Sequence, residues 1–95
     1  MVAPITPKFA LGHVVATPGA LATLTEAGQT PTEFISRHVS GDWGECGDDD
    51  LQANEEALQQ DGRLFSVYRT AKGVKFWIIT EADRSSTCVL LPEDY

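Results

Sequence analysis

The apolar positions of the chain follow two periods, and the change from one to the other divides it. "FALGHVVAT" (9–17) is a short β-rich run. Thr17-Pro18 then reads as a helix start: a side-chain oxygen able to cap, and a proline at the first turn, where no N–H is missed. The helix over "PGALATLTEAG" (18–28) stops at Gly28, a residue suited to a left-handed cap. Thr30-Pro31-Thr32-Glu33 repeats the start signal, with capping-box spacing between Thr30 and Glu33. The helix it opens, over 31–40, puts Phe34, Ile35 and His38 on neighbouring turns.

Gly41 ends that helix, and "GDWGECG" (41–47) is too rich in glycine to be regular. Asp48, Asp49 and Asp50 come next, at the start of a third helix, where free N–H groups and the helix dipole favour carboxylates. Leu51, Asn54, Ala57 and Leu58 share one face of it, and Gly62 is expected to close it. After Gly62 the period falls from near 3.6 to 2. "RLFSVYRT" (63–70) alternates Phe65 and Val67 against Leu64, Ser66 and Tyr68. "AKG" (71–73) is a tight hairpin with glycine at its left-handed corner. "VKFWIIT" (74–80) is apolar on both faces, as a central strand is. "EADRSS" turns the chain, "TCVLL" (87–91) is the last strand of a meander, and Pro92 stops it.

This order predicts an α+β fold. A first strand and two to three helices pack on a C-terminal antiparallel sheet of three to four strands. Residues 1–8, with Pro4 and Pro7, read as an extended lead-in, and 9–95 as a single domain, which is all that 95 residues hold. No apolar run reaches the ~20 residues of a membrane span. No charged start with an apolar core opens the chain, so a secretory signal is not expected and the cytoplasm is the expected location.

Charge narrows the range of partners. Fourteen acidic residues against seven basic ones leave −7, a surface that repels phosphate backbones. Direct nucleic-acid binding is therefore not expected, and neither is a membrane partner. Arg63, Arg69, Lys72 and Lys75 could gather on one hairpin, where a solvated strand pair is the simpler reading. Cys46 and Cys88 are expected to be free thiols in a reducing compartment. With His13 and His38 they lack the close ligand pairs of structural zinc, so neither a metal nor another cofactor is expected.

Two stretches concentrate polar chemistry. "RHVSGDWGECGDDD" (37–50) holds His38, Trp43, three glycines and five carboxylates. As architecture, Trp43 plugs the core, Asp42 caps its own turn and His38 braces the corner. As a site, His38 and Asp42 pair as base and orienter, or Trp43 stands exposed as a binding anchor. "TEADRSST" (80–87) crowds Glu81, Asp83 and Arg84 with the hydroxyls of Ser85, Ser86 and Thr87. Arg84 there is either one member of a surface ion-pair cluster or a guanidinium aimed at an anion. Asn54, on the apolar side of its helix, must be paired, and a strand end or the "GDWG" loop is the expected partner. Tyr68 and Ser66 share a strand face and extend the polar set. No nucleophile elbow, phosphate loop or dinucleotide fingerprint is present.

"FALGHVVATPGALATL", "RHVSGDWGE", "RLFSVYRT" and "WIITEADRSSTCVLLPEDY" together resemble a family of short bacterial proteins carried by plasmids, integrative elements and phages. Some members are labelled as type I restriction subunits. A methyltransferase needs a cofactor-binding α/β domain that this pattern does not supply. Cys88 stands where the family has threonine, and Cys46-Gly47 where it has an acidic and apolar loop. The resemblance implies a mobile-element setting and carries no catalytic residues with it.

Two functions follow as expectations. The first is a non-enzymatic accessory protein that binds a host or defence-system protein, possessing an acidic surface that occupies a basic, nucleic-acid-binding groove by charge complementarity. Its binding residues would be Asp42, Trp43, Asp48, Asp49, Asp50, Glu81 and Asp83. The second is a small metal-independent ribonuclease or toxin: His38 would be the acid or base, Arg63 or Arg84 would steady the phosphate, and Tyr68 would stack or donate.

Overall fold

Strand β1 (His13–Ala16) leads into helices α1 (Pro18–Glu26), α2 (Pro31–Val39) and α3 (Asp48–Gln60), and then into the meander of β2 (Leu64–Arg69), β3 (Lys75–Thr80) and β4 (Ser86–Leu90). These elements are those of the computed structural model, which describes residues 7–95. A 3-10 turn, Pro92–Asp94, follows the last strand. The fold is α+β, with the sheet ordered β1-β4-β3-β2. Most of the lead-in expected over 1–8 lies outside the described residues; Lys8 donates its N–H to the Val39 carbonyl at 2.8 Å.

The sheet is mixed, not antiparallel throughout. β2–β3 and β3–β4 are antiparallel, whereas β1 runs parallel to β4 with His13 opposite Ser86 and Ala16 opposite Val89. The free edge of β2 is occupied by the loop after α2, through Val67 N–H to Trp43 O at 3.1 Å and Glu45 N–H to Val67 O at 2.7 Å. β1 therefore takes the edge of β4, and bonds at both ends set its direction. His13 N–H donates to Ser85 O at 3.0 Å, and Thr17 N–H to Val89 O at 2.9 Å. The strand is also shorter than the β-rich run 9–17 that announced it. Gly12, at φ +65, ends the pairing where any Cβ would lie 2.4 Å from the Ser85 main chain.

Alternation along the meander sorts its side chains. Leu64, Ser66, Tyr68, Phe76, Ile78, Thr80, Thr87 and Val89 face the helices and are buried. Ala20 and Leu24 of α1 and Phe34 of α2 complete the main core with Tyr68, Phe76, Ile78 and Val89. Phe34 meets Phe76 edge-on at 4.8 Å, the quadrupole-favoured arrangement. Each such side chain contributes ~1.5–3 kcal/mol by leaving water. A second cluster of Trp43, Ala57 and Leu64 joins α3 to the start of β2. β3 is central, as its two apolar faces require: Trp77 and Ile79 lie on the far side of the sheet from Phe76 and Ile78.

The two proline-led helix starts end differently. Thr17 caps α1, accepting the Ala20 N–H at 3.2 Å and donating to Asp94 Oδ2 at 2.6 Å. Thr30 makes no side-chain cap bond, so the capping box expected with Glu33 does not form. Thr17 is tethered by β4 and Asp94, while Thr30 is exposed and untethered. At the other end of the helical segment, α3 is closed by Asp61 in the left-handed region (φ 54), and not by Gly62. Aspartate tolerates that conformation better than most residues.

The contrast between the caps has a measurable consequence. Thr17→Ala is expected to cost ~1–2 kcal/mol in urea unfolding, and Thr30→Ala under ~0.5 kcal/mol. Equal losses would contradict the cap assignment.

Candidate functional site

α2 delivers His38 into the core. Its ring is fully enclosed, with Nδ1 2.5 Å from Ser66 Oγ and Nε2 2.9 Å from Thr80 Oγ1. Thr80 Oγ1 is 2.7 Å from Thr87 Oγ1, which lies 2.8 Å from the Leu11 carbonyl. The carbonyl can only accept, and this sets the direction of every proton in the row. Thr87 donates to Leu11, and Thr80, at Thr87's other side, donates to Thr87. Thr80 must then accept from His38 Nε2–H, which leaves Nδ1 bare to accept the Ser66 hydroxyl. Imidazole is thus held neutral in one tautomer. No carboxylate is among its partners, and burial pushes its pKa down to about 4.

The corner after α2 is built around this ring. Trp43, one of the expected binding residues, is buried at 4% exposure and so is no surface anchor. It packs edge-on against His38 at 5.6 Å, lies parallel to Phe9 at 6.1 Å, and donates its indole N–H to Glu55 at 3.1 Å. Asp42 accepts from Gly44 N–H at 3.2 Å, the turn bond its position predicts. Its ionic partner is Arg37 at 2.7 Å, not His38, and Arg37 holds the Asp42 carboxyl below its usual range. Gly44 sits at φ +72, where a Cβ would meet Val67 O at 2.0 Å. Tyr68 donates to the Asp42 carbonyl at 2.5 Å, and burial raises the pKa of its phenol.

Arg84 joins neither an ion-pair cluster nor an open anion site. Its guanidinium donates to the main-chain carbonyls of Ala57, Gly62, Glu81 and Ala82 at 2.6–3.2 Å. It thereby satisfies the C-terminal end of α3 and ties that end to the β3–β4 turn. Asn54 does the same work for β2, giving its amide to Phe65 O at 2.7 Å and accepting Phe65 N–H at 2.9 Å. Arg63 is exposed, bonded to Tyr95 Oη at 2.7 Å and paired with Glu81 at 3.5 Å. Asp83 is exposed and accepts Ser85 N–H, and hydrogen bonding from the Ser85 side chain, then from that N–H, holds its pKa below the usual range. The four candidates for acid–base chemistry do not converge. His38 and Tyr68 are on the helix-covered side of the sheet, Arg63 is on the other, and Arg84 is spent on carbonyls.

The outer surface of α3 is acidic. Asp48, Asp49, Asp50, Glu55 and Glu56 are exposed on this helix, and it carries no basic residue. Among the described residues the ion pairs are Arg37–Asp42, Arg63–Glu81 and Arg69–Glu45, so no carboxylate of α3 is neutralised by a cation. The helix is amphipathic with its polar side left bare: Asn54 and Ala57 are its buried positions. The hydroxyl row through Ser66, Thr80 and Thr87 was missed as a unit by sequence reasoning. Its one visible signal is that Ser66 and Thr80 fall at inward positions of alternating strands.

The pH dependence of stability follows from the enclosed imidazole. Its folded pKa is below the unfolded value of ~6.5, so between ~6.5 and about 4 the unfolded chain binds the extra proton. Stability is therefore full above ~6.5 and falls with acidification by up to ~1.4 kcal/mol per pH unit in that window. His38→Gln is expected to be ~2–3 kcal/mol less stable at pH 7 and to lose that slope. Identical slopes in the two proteins, or a ring-nitrogen NMR spectrum with the proton on Nδ1, would overturn the assignment. No protein-family model, curated protein or solved structure matches the chain.

Proposed function

We propose that the protein is a non-enzymatic binding module whose acidic helix α3 docks on a basic protein surface. In the mobile-element setting that its sequence resembles, that surface belongs to a host or defence-system protein. The observation that carries the reading is the set of five carboxylates on α3, none of them paired with a cation among the described residues. The five carboxylates crowd the first turn of this 13-residue helix (Asp48, Asp49, Asp50) and the stretch that follows Asn54 (Glu55, Glu56). A groove shaped for a phosphate backbone would meet concentrated negative charge here. Fixed on a packed helix, these carboxylates lose less freedom on binding than carboxylates on a mobile tail would.

The ribonuclease reading needs an imidazole that reaches substrate, and that of His38 is sealed behind Phe9 and Trp43 with both nitrogens bonded. Glu81 and Asp83 add charge at the β3–β4 turn, but Glu81 is already paired.

Affinity capture from a bacterial lysate tests the proposal, using the wild type beside Asp48→Asn/Asp49→Asn/Glu56→Gln; Glu55 is spared because it holds Trp43. The wild type is expected to retain a protein stoichiometrically at low salt and release it as salt rises. The triple variant, folded by circular dichroism, is expected to lose at least tenfold in affinity. Equal retention by both proteins, or cleavage of RNA by the purified chain, would overturn the proposal.

A further inference from the structure

The sheet face turned away from α1 and α2 carries a hollow of about 350 Å³ beside α3. Phe65, Trp77 and Ile79 form its floor, Ala53 its wall on α3, and Tyr95 the wall opposite. The rings are edge to face, Phe65 to Trp77 at 5.1 Å and Trp77 to Tyr95 at 5.9 Å. A second hollow of about 310 Å³ continues it along α3 past Glu56 and Gln60, sharing Ala53 and Arg63. Together they make a trough with an apolar, aromatic deep end and with Asp50 and Glu56 of α3, neither paired with a cation among the described residues, on one bank.

The groups around the trough select its occupant. Asn54 lines the hollow, but its amide is held in place by one bond at each end to the Phe65 main chain. With Phe65, Trp77, Ile79 and Ala53 as the surfaces it meets, the hollow favours an apolar insert. Arg63 at the rim is bonded to Tyr95 and paired with Glu81, so it offers no free cation to a phosphate. Asp50 at the same rim has no cationic partner among the described residues. The flanks of the occupant must therefore be positive. We propose that this trough is the anchor site for a protein segment with one large apolar side chain flanked by lysine or arginine. The side chain enters between Trp77 and Ala53, and the cations lie along α3. The proposal rests on the acidic-helix reading above and adds the anchor to it. A buried anchor supplies affinity that salt does not screen, and surface charge alone cannot do this.

Two end-blocked synthetic peptides test it, Lys-Lys-Trp-Lys-Lys and Lys-Lys-Ser-Lys-Lys, titrated into the ¹⁵N-labelled chain. The tryptophan peptide is expected to bind at least ~10-fold tighter. It should shift the Trp77 indole N–H and the Ala53 amide, while the serine peptide shifts α3 alone. Ala53→Trp, at an exposed helix position, fills the hollow and is expected to remove the tenfold without changing the serine peptide. Tyr95→Ala, which opens the far wall, is expected to weaken the tryptophan peptide alone. Equal binding of both peptides to the wild type overturns the anchor site and leaves the acidic-helix reading standing. Binding of neither peptide overturns both. A ten-residue thymidine oligonucleotide that shifts Trp77 makes the occupant anionic and overturns the proposal.

Discussion

A neutral imidazole with no access to water can occupy this core only while both of its nitrogens are bonded, and the fold is arranged around meeting that condition. His38 on α2 links to Ser66 on β2 and to Thr80 on β3. Thr80 links to Thr87 on β4, and Thr87 to the main chain ahead of β1. One row of protons thus crosses every strand of the meander and holds a helix above it. A single bond of this kind is worth only ~1 kcal/mol net, but a partner left unmet in the core costs ~1–3 kcal/mol. Hydrophobic burial drives the collapse and tolerates small slips; the row does not, and so it sets how α2 sits on the sheet.

The same constraint recurs where elements end. The end of α3 lies against the β3–β4 turn, and Arg84 donates to the Ala57 carbonyl of its last turn and to Gly62 O just beyond it. β2 begins beside α3, and Asn54 meets both main-chain groups of Phe65. The loop after α2 turns under Tyr68, which donates to Asp42. Among the described residues no buried side-chain nitrogen or oxygen is left without a partner. Residues that read as chemical candidates in a sequence, an imidazole, a guanidinium and a phenol, are here the devices that let polar backbone enter a small core.

Because the interior absorbs those groups, the distinctive chemistry of the molecule lies outside. The carboxylates of α3 stand in water without cations, and the sheet face beside them keeps its aromatic rings half-buried. Large apolar groups next to a uniform charge are the makings of an interface with a polar rim and a dry centre. Cys46, by contrast, turns its thiol to the carbonyls of Trp43 and Phe65, and burial raises its pKa, which suits packing and not reactivity.

Sequence alone determined what depends on near neighbours: Thr17-Pro18 and Pro31 open helices, alternation from Leu64 marks strands and their faces, Gly73 marks the hairpin, and α3 is acidic. These features rest on backbone preference and periodicity, which act over a few residues. Only the tertiary structure decided that β1 lies parallel to β4, that Thr30 does not cap, and that Trp43 is interior. Likewise it joined His38 to hydroxyls 28 and 42 positions away, and Arg84 to carbonyls on two elements. A polar side chain's role is set by which groups come within about 3 Å of it. That proximity is created by packing between distant segments, and no local pattern encodes it.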